Sequence, residues 1–385
     1  MSEWKEYKLG DCIEAIIDNR GKSAPTNEIG GFPLMEINCI GGYYPNYSAI
    51  RKYVDENTYK NWFRSGHPVS GDILIPTVGT IGIISMMDNT KACIAQNLIA
   101  LRIKKDISNV FIYYYLKNPR IKKELLNLDI GGVQPSIKVP HLLNLSISLP
   151  PREVQTKIAS ILSSIDDKID LLNRENATLE AMAETLFRQW FIEDAKEDWE
   201  EKPLSSIATF LNGLACQKYP PKNEIEKLPV LKIRELTNGI GADSDWATTD
   251  VGEEYIVQSG DVIFAWSASL MVKIWDGEDC ILNQHLFKVT STTYPKWFYY
   301  LWCKHHLNEF IAIAQSHATT MGHIKRNDLD TAMVLVPSDE ELKTMNDIMM
   351  PLFSKIESNN YQLISLRTQR DTLLPKLMSN EISIK

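Results

Sequence analysis

Apolar residues recur at every seventh position through two stretches of this chain. In the first, Ile158, Ile165, Leu172, Leu179 and Leu186 form one column; Leu162, Ile169, Asn176, Ala183 and Trp190 form a second, four residues on. Two such columns predict a long helix with a coiled-coil-like seam. Asn176 lies in the seam, where one buried amide can fix register at some cost in stability. The second stretch sets Met345, Leu352, Asn359, Leu366 and Leu373 beside Met349, Ile356, Leu363, Arg370 and Leu377. Asn359 and Arg370 weaken this seam, and Pro351 and Pro375 are expected to kink or interrupt the helix. Neither helix buries much surface alone, so pairing with the other, and with a further partner, is expected.

The remaining pattern is different. Short apolar runs such as Asp72-Ile-Leu-Ile-Pro76, Asn97-Leu-Ile-Ala-Leu-Arg102 and Val334-Leu-Val336 are broken by Gly, Pro and Asn, which predicts strands and loops. Helical patches at 109–127 and 296–314, rich in Tyr, Trp and Leu, are expected to be core.

The pattern is also written twice. Trp4-Lys-Glu-Tyr-Lys-Leu9 returns as Trp199-Glu-Glu-Lys-Pro-Leu204, Ser70-Gly-Asp as Ser259-Gly-Asp, Gln96-Asn-Leu98 as Gln284-His-Leu286, and Tyr114-Tyr-Leu116 as Tyr299-Tyr-Leu301. From Ile137 and Ile324 onward the offset holds at 187, so that Pro150 meets Pro337 and Leu179 meets Leu366. A tandem duplication follows, with insertions confined to loops. The expected layout is a strand-rich domain at 1–150, a helix at 151–196, a second strand-rich domain at 197–337, and a second helix with a C-terminal tail at 338–385. The fold class is α/β (α+β), with an internal pseudo-two-fold repeat.

Composition narrows the function. Hydrophobic residues make up 44% of the 385 positions and charged residues 23%, as in ordinary soluble protein. No run approaches the length of a membrane span and no signal peptide is evident, so a cytoplasmic protein is expected. The six scattered cysteines include no Cys-x-x-Cys, which argues against a disulfide framework or zinc site. The net charge of −8 hides a division: residues 1–150 carry 17 Lys+Arg against 14 Asp+Glu, residues 197–337 carry 12 against 19. Phosphate contact must therefore come from local basic loops rather than a general field.

Catalytic signatures are mostly missing. Gly21-Lys22-Ser23 resembles the end of a phosphate loop, but position 16 is Ile where that loop needs Gly. Gly79-Thr-Ile-Gly82 and Gly239-Ile-Gly241 lack the third glycine of a dinucleotide fingerprint. Asn118-Pro119 is followed by Arg120, not by the Pro-aromatic pair of amino-methyltransferases. His305-His306, and His317 with His323, stand at no metal-ligand spacing. A noncatalytic chain is expected.

Leu149-Pro-Pro-Arg-Glu-Val-Gln-Thr-Lys-Ile158, Asp166-Asp-Lys-Ile169, Asn176-Ala-Thr-Leu-Glu-Ala-Met-Ala183 and Leu186-Phe187 resemble the first helical region of Type I restriction–modification specificity subunits. Leu366-Arg-Thr-Gln-Arg-Asp-Thr-Leu-Leu-Pro-Lys-Leu-Met-Ser379 is similar to the family's C-terminal ending. One departure is Pro337-Ser-Asp-Glu-Glu341, which lacks the usual double proline and glutamine. The resemblance implies two target-recognition domains separated by two long antiparallel helices, which dock two methyltransferase subunits, with two motor–nuclease subunits able to join. It implies double-stranded DNA with a bipartite, asymmetric target, one half read by each domain across a fixed gap. No cofactor is then bound by this chain; S-adenosylmethionine, ATP and Mg²⁺ belong to the partners, and adenine N6 is the methyl acceptor. About 37 helical residues make a rod of about 55 Å, enough to hold two domains at half-sites about 34–36 Å apart.

Pairing and docking are expected at Ile158, Leu162, Ile165, Ile169, Leu172, Asn176, Leu179 and Leu186 on the first helix. On the second they fall to Met345, Leu352, Ile356, Leu363, Leu366, Leu373 and Leu377. DNA contact is expected in loops that mix phosphate-seeking cations with amides and hydroxyls able to read base edges. These carry Arg20, Lys22 and Ser23 in the first domain and Gln217, Lys218 and Lys222 in the second. A later loop in each carries Gln134, Ser136 and Lys138, and His317, Thr319, Thr320, His323 and Lys325; Gln134 or Gln217 suits an adenine edge. Three other readings stay open: a specificity subunit of a two-component system with a fused methyltransferase–nuclease, a nuclease or transferase with an unrecognised site, and a scaffold that binds no DNA.

Overall fold

The computed structural model describes residues 4–127, 135–241, 243–316 and 322–382. The chain divides into two compact units. One comprises residues 1–168 and 368–385, the other residues 169–367.

In the first unit the apolar run at 73–76 becomes a fully buried strand, Ile73–Pro76. It pairs antiparallel with Leu98–Ile103, which pairs in turn with Ile13–Ile17; Ser85–Met86 closes the other edge. A smaller sheet sets Phe32–Met35 antiparallel to Tyr53–Val54 and parallel to Cys93–Ile94. Lys5–Lys8 pairs with Ser146–Leu149, Lys5 opposite Leu149, so the start and end of the domain are stitched together. The helices Asn109–Lys117 and Pro119–Asn127 supply core: Phe111, Ile112, Tyr113 and Tyr114 are fully buried.

The second unit repeats this plan. Val262–Ala265 pairs with Leu286–Thr290 and Met271–Ile274, and Thr209–Asn212 extends the sheet. Lys227–Leu231 lies parallel to Cys280–Leu282, and Glu200–Pro203 pairs with Met333–Val336. The helix Lys296–His305 buries Trp297, Phe298, Tyr300 and Trp302.

Both seams form real helices, Arg152–Arg188 and Asp339–Met378. In the first unit Ile158 and Leu162 share a hydrophobic cluster with Leu374 and Leu377, while Ile165 and Leu373 are half-buried. In the second unit Ile169, Leu172, Ile356 and Leu363 are buried; Leu179, Leu186, Met345, Leu352 and Leu366 are half-buried. Asn176 is bonded as a register-fixing amide should be: its Nδ2 donates to Asn360 Oδ1 at 2.8 Å, and its Oδ1 accepts from Asn359 Nδ2 at 2.9 Å.

Three sequence expectations need correction. Pro351 and Pro375 do not interrupt the second helix, which runs unbroken from Asp339 to Met378. Each proline removes one helical hydrogen bond, but the flanking Met349, Phe353, Leu374 and Leu377 are buried and hold the path. Asn359 and Arg370 do more than weaken the seam, although the buried Asn359 Oδ1 has no partner among the described residues. Asn359 is fully buried and donates to Asn176, and Arg370 Nη1 donates to Asp166 Oδ1 at 3.0 Å. Finally, the match of Tyr114-Tyr-Leu116 to Tyr299-Tyr-Leu301 is two residues out of step. Lys117 lies over the Tyr113 ring and Lys304 over the Tyr300 ring, after N-caps at Ser108 and Pro295, so the offset of 187 already holds here.

The departure at Pro337-Ser-Asp-Glu-Glu341 does not cost the second helix its start. Ser338 and Glu341 form a capping box: the Ser338 amide and hydroxyl donate to Glu341 Oε2 at 3.1 and 2.7 Å. Lys196 and the indole of Trp199 bond the same carboxylate. These donors, Lys196 first, hold the Glu341 carboxyl down from its ordinary 4.5 to about 2.

Candidate nucleic-acid interface

In the first unit Lys22 and Ser23 are exposed. They line a concavity of about 230 Å³ together with Asn19, Gln96 and Asn97. Arg20 belongs to the scaffold: its Nε and Nη2 donate to the two carboxylate oxygens of Asp18 at 2.8 and 2.6 Å. That guanidinium holds the Asp18 carboxyl below its ordinary range. Asn19 ties the loop to the Ser65 amide and the Gly66 carbonyl, both at 2.9 Å.

The later loop meets the same place by backbone bonds. Ser136 bridges to Val78, Gly79 N–H donates to Pro135 O at 2.9 Å, and Ile137 N–H donates to Thr77 O at 2.9 Å. Thr77 N–H in turn donates to Asn97 O. The two predicted loops are thus joined through a third feature, the corner Gln96–Asn97 where the central strand begins. Lys138 is exposed at the N-cap of Val139–Leu143. Gln134 lies outside the described residues.

The second unit builds the same arrangement. Gln217 and Lys218 are exposed on the turn Cys216–Lys218, just after Leu214. Leu214 N–H donates to Leu282 O, and Leu214 O accepts from Gln284 N–H at 2.8 Å. The preceding Gly213 could not carry a side chain, since a Cβ would stand 2.3 Å from the Asn283 oxygen. Ser267 bridges to His323, and Ala268 N–H donates to Gly322 O at 2.9 Å. Lys325 caps Arg326–Thr331, its amide donating to Asp328 Oδ2 at 2.7 Å. Lys222 is exposed, and its ammonium is paired with Asp250. His317, Thr319 and Thr320 lie outside the described residues.

Sequence reasoning overlooked Gln96, Asn97, Gln284, His285 and Trp266. The signal lies in the sequence: Gln-x-Leu marks the duplication and is also a corner that both copies keep beside their loops. A second shared feature is the loop tip, where Gly79 has φ +89° and Ala268 φ +58°. A non-glycine residue there costs about 1–2 kcal/mol, which the two backbone bonds to the later loop help to offset.

The family model described as Type I restriction modification DNA specificity domain matches residues 1–181 and 196–367. The chain belongs to the Type I restriction–modification specificity family. It is a specificity subunit, a noncatalytic component of these complexes that recognises DNA targets. The specificity subunit of the Type I restriction enzyme MjaIX of Methanocaldococcus jannaschii is 25% identical, the match covering all of this chain and 94% of that one. The HindI specificity subunit of Haemophilus influenzae is 21% identical over 99% of this chain and 100% of its own. In fold, the crystal structure of the Type I S subunit from M. genitalium matches with a TM-score of 0.57 at 14% identity, covering 98% of this chain and 96% of that one.

Among the described residues no group of three or more His, Cys, Asp and Glu is placed to hold a metal, and no helix is long and apolar enough to cross a membrane. His306 is nearly buried, its Nε2 2.9 Å from Met333 O and its Nδ1 3.3 Å from Glu309. Burial lowers the pKa of His305 beside it.

Proposed function

We propose that this subunit reads a bipartite, asymmetric DNA target, with residues 1–150 taking one half and residues 197–337 the other. The observation that carries this reading is the repetition of one loop-and-corner arrangement with different side chains. Gln96–Asn97 faces a Thr77–Gly79 tip in one copy, and Gln284–His285 faces a Trp266–Ala268 tip in the other. Equal scaffolds with unequal edges suit two different half-sites. Lys22, Lys218, Lys138 and Lys325 supply phosphate contacts that fix position, while amides and hydroxyls read bases.

The long helices carry the methyltransferase subunits. Most seam residues are occupied within the chain, which directs docking to apolar side chains left outside: Ile161, Leu171 and Met182 on the first helix and Ile348, Met350 and Tyr361 on the second are exposed. S-adenosylmethionine, ATP and Mg²⁺ act in two methyltransferase and two motor–nuclease partners, with adenine N6 as methyl acceptor. The six cysteines are free and buried, as suits the cytoplasm.

Replacing residues 1–150 with the corresponding domain of another family member tests the division. Modification mapping of genomic DNA should then show one half of the methylated motif changed and the other kept. A change in both halves would refute it.

A further inference from the structure

The corner at residues 283–285 is tied down by both backbone and side-chain bonds. Gln284 is half-buried, and its backbone is fixed by the bond to Leu214 O at 2.8 Å. Its side-chain Nε2 lies 3.4 Å from His285 Nε2, and His285 Nδ1 lies 3.1 Å from Ser267 Oγ. Ser267 is buried, and it sits on the loop tip bridged to His323. An amide N–H facing His285 Nε2 makes that nitrogen the acceptor, so Nδ1–H donates to the serine hydroxyl oxygen. Trp266 closes the other side: its Nε1 donates to Asn212 Oδ1 at 3.1 Å, and its ring stands 6.1 Å from that of His285.

This relay leaves a defined pair on Gln284. The amide oxygen is uncommitted in it, and so is the second N–H of Nε2. An acceptor beside a donor is the pattern that meets adenine N6–H and N7 in the major groove. We propose that Gln284 reads an adenine in the half-site of the second domain, with His285 and Ser267 as positioning residues that hold its side chain at the strand start. Holding the amide in place before DNA arrives lowers the entropy lost on contact. Gln96 occupies the equivalent place in the first unit, but Asn97 stands where His285 stands and Val78 where Ser267 stands, so the imidazole–hydroxyl relay cannot form. The inference rests on the half-site reading above and goes beyond it by naming a residue and a base.

The test uses the full-length chain with its methyltransferase subunits and a random-sequence duplex library, sequencing what is bound. Wild type should enrich a two-part motif. Gln284→Ala should relax one adenine position by roughly tenfold to a hundredfold, leaving the other half-site intact, which also shows that the variant is folded. Gln284→Arg should shift that position toward guanine, since Arg pairs with its O6 and N7. Ser267→Ala should blunt discrimination at the same position alone, whereas a merely structural role would weaken every sequence equally. A two-part wild-type motif unchanged by Gln284→Ala overturns this inference and spares the half-site reading. A wild-type preference without two parts overturns the half-site reading, and with it this one unless an adenine position still relaxes.

Discussion

At one position of the helix pair the two units solve the same packing problem by opposite means. In the first unit Asp166 is buried, accepts from Arg370 Nη1 at 3.0 Å and takes the Tyr114 hydroxyl at 2.8 Å. Lys117 close by is half-buried, and desolvation lowers its pKa; burial pushes the Tyr113 hydroxyl beside it well up. Moving 187 residues along turns Asp166 into Phe353 and, in the other direction, Arg370 into Ala183. These two lie in the apolar core of the second unit, with Phe353 edge-on to Tyr300. An ion pair binds its partner through direction and charge; a ring against a small residue binds through volume. The first fails when one partner is lost, the second when a cavity opens.

The comparison can be broken most sharply by Arg370→Ala. It would strand a buried carboxylate and should cost about 3–5 kcal/mol, read by denaturant unfolding and by faster hydrogen exchange in residues 368–382. Phe353→Ala should cost a similar amount, about 3–5 kcal/mol, with the exchange increase confined to the second unit. Importing the apolar solution, Asp166→Phe with Arg370→Ala and with Tyr114→Phe so that no buried hydroxyl is stranded, should instead be neutral or stabilising by about 1–4 kcal/mol. A large loss there would mean that the ion pair contributes more than its desolvation costs.

A smaller contrast lies at the indoles. Trp199 Nε1 donates to Glu341 at 3.1 Å, whereas Val154 occupies the matching place near the first domain and Trp4 Nε1 is buried without a partner among the described residues. Glu341 is held at about 2 when folded and near 4.5 when unfolded. Its contribution is therefore complete above about pH 4.5 and fades as pH falls toward 2. Glu341→Gln should lower stability by under about 1 kcal/mol at pH 7, and the difference from wild type should vanish through that acid window in pH-dependent melting.

Much of this was legible because periodicity reports burial directly. A heptad column names the buried stripe of a helix wherever its partner lies, so Ile158, Leu162, Ile356 and Leu363 could be picked from spacing alone. The later loops were legible as a matched pair, since Lys138 and Lys325 stand at the same place in the two copies. Lettering misled at Tyr114-Tyr-Leu116, where identical residues slipped two places from the true correspondence, because on a helix buried on nearly every side Tyr, Leu and Phe exchange freely. The corner Gln284–His285–Ser267 was not legible as a site. Ser267 lies 17 and 18 residues before Gln284 and His285, and only strand pairing brings the Trp266–Ala268 tip over the strand start.

The sequence by itself determined the duplication, the two helices and the family, since each is carried by order and spacing, which survive without coordinates. Tertiary structure decided which polar groups meet. Asp166 finds Arg370 across 204 residues, Lys222 meets Asp250, and a glutamine lies beside a histidine that a buried serine holds. Hydrogen bonds and ion pairs depend on direction over a few tenths of an ångström, and that geometry exists only once the sheets and helices have packed.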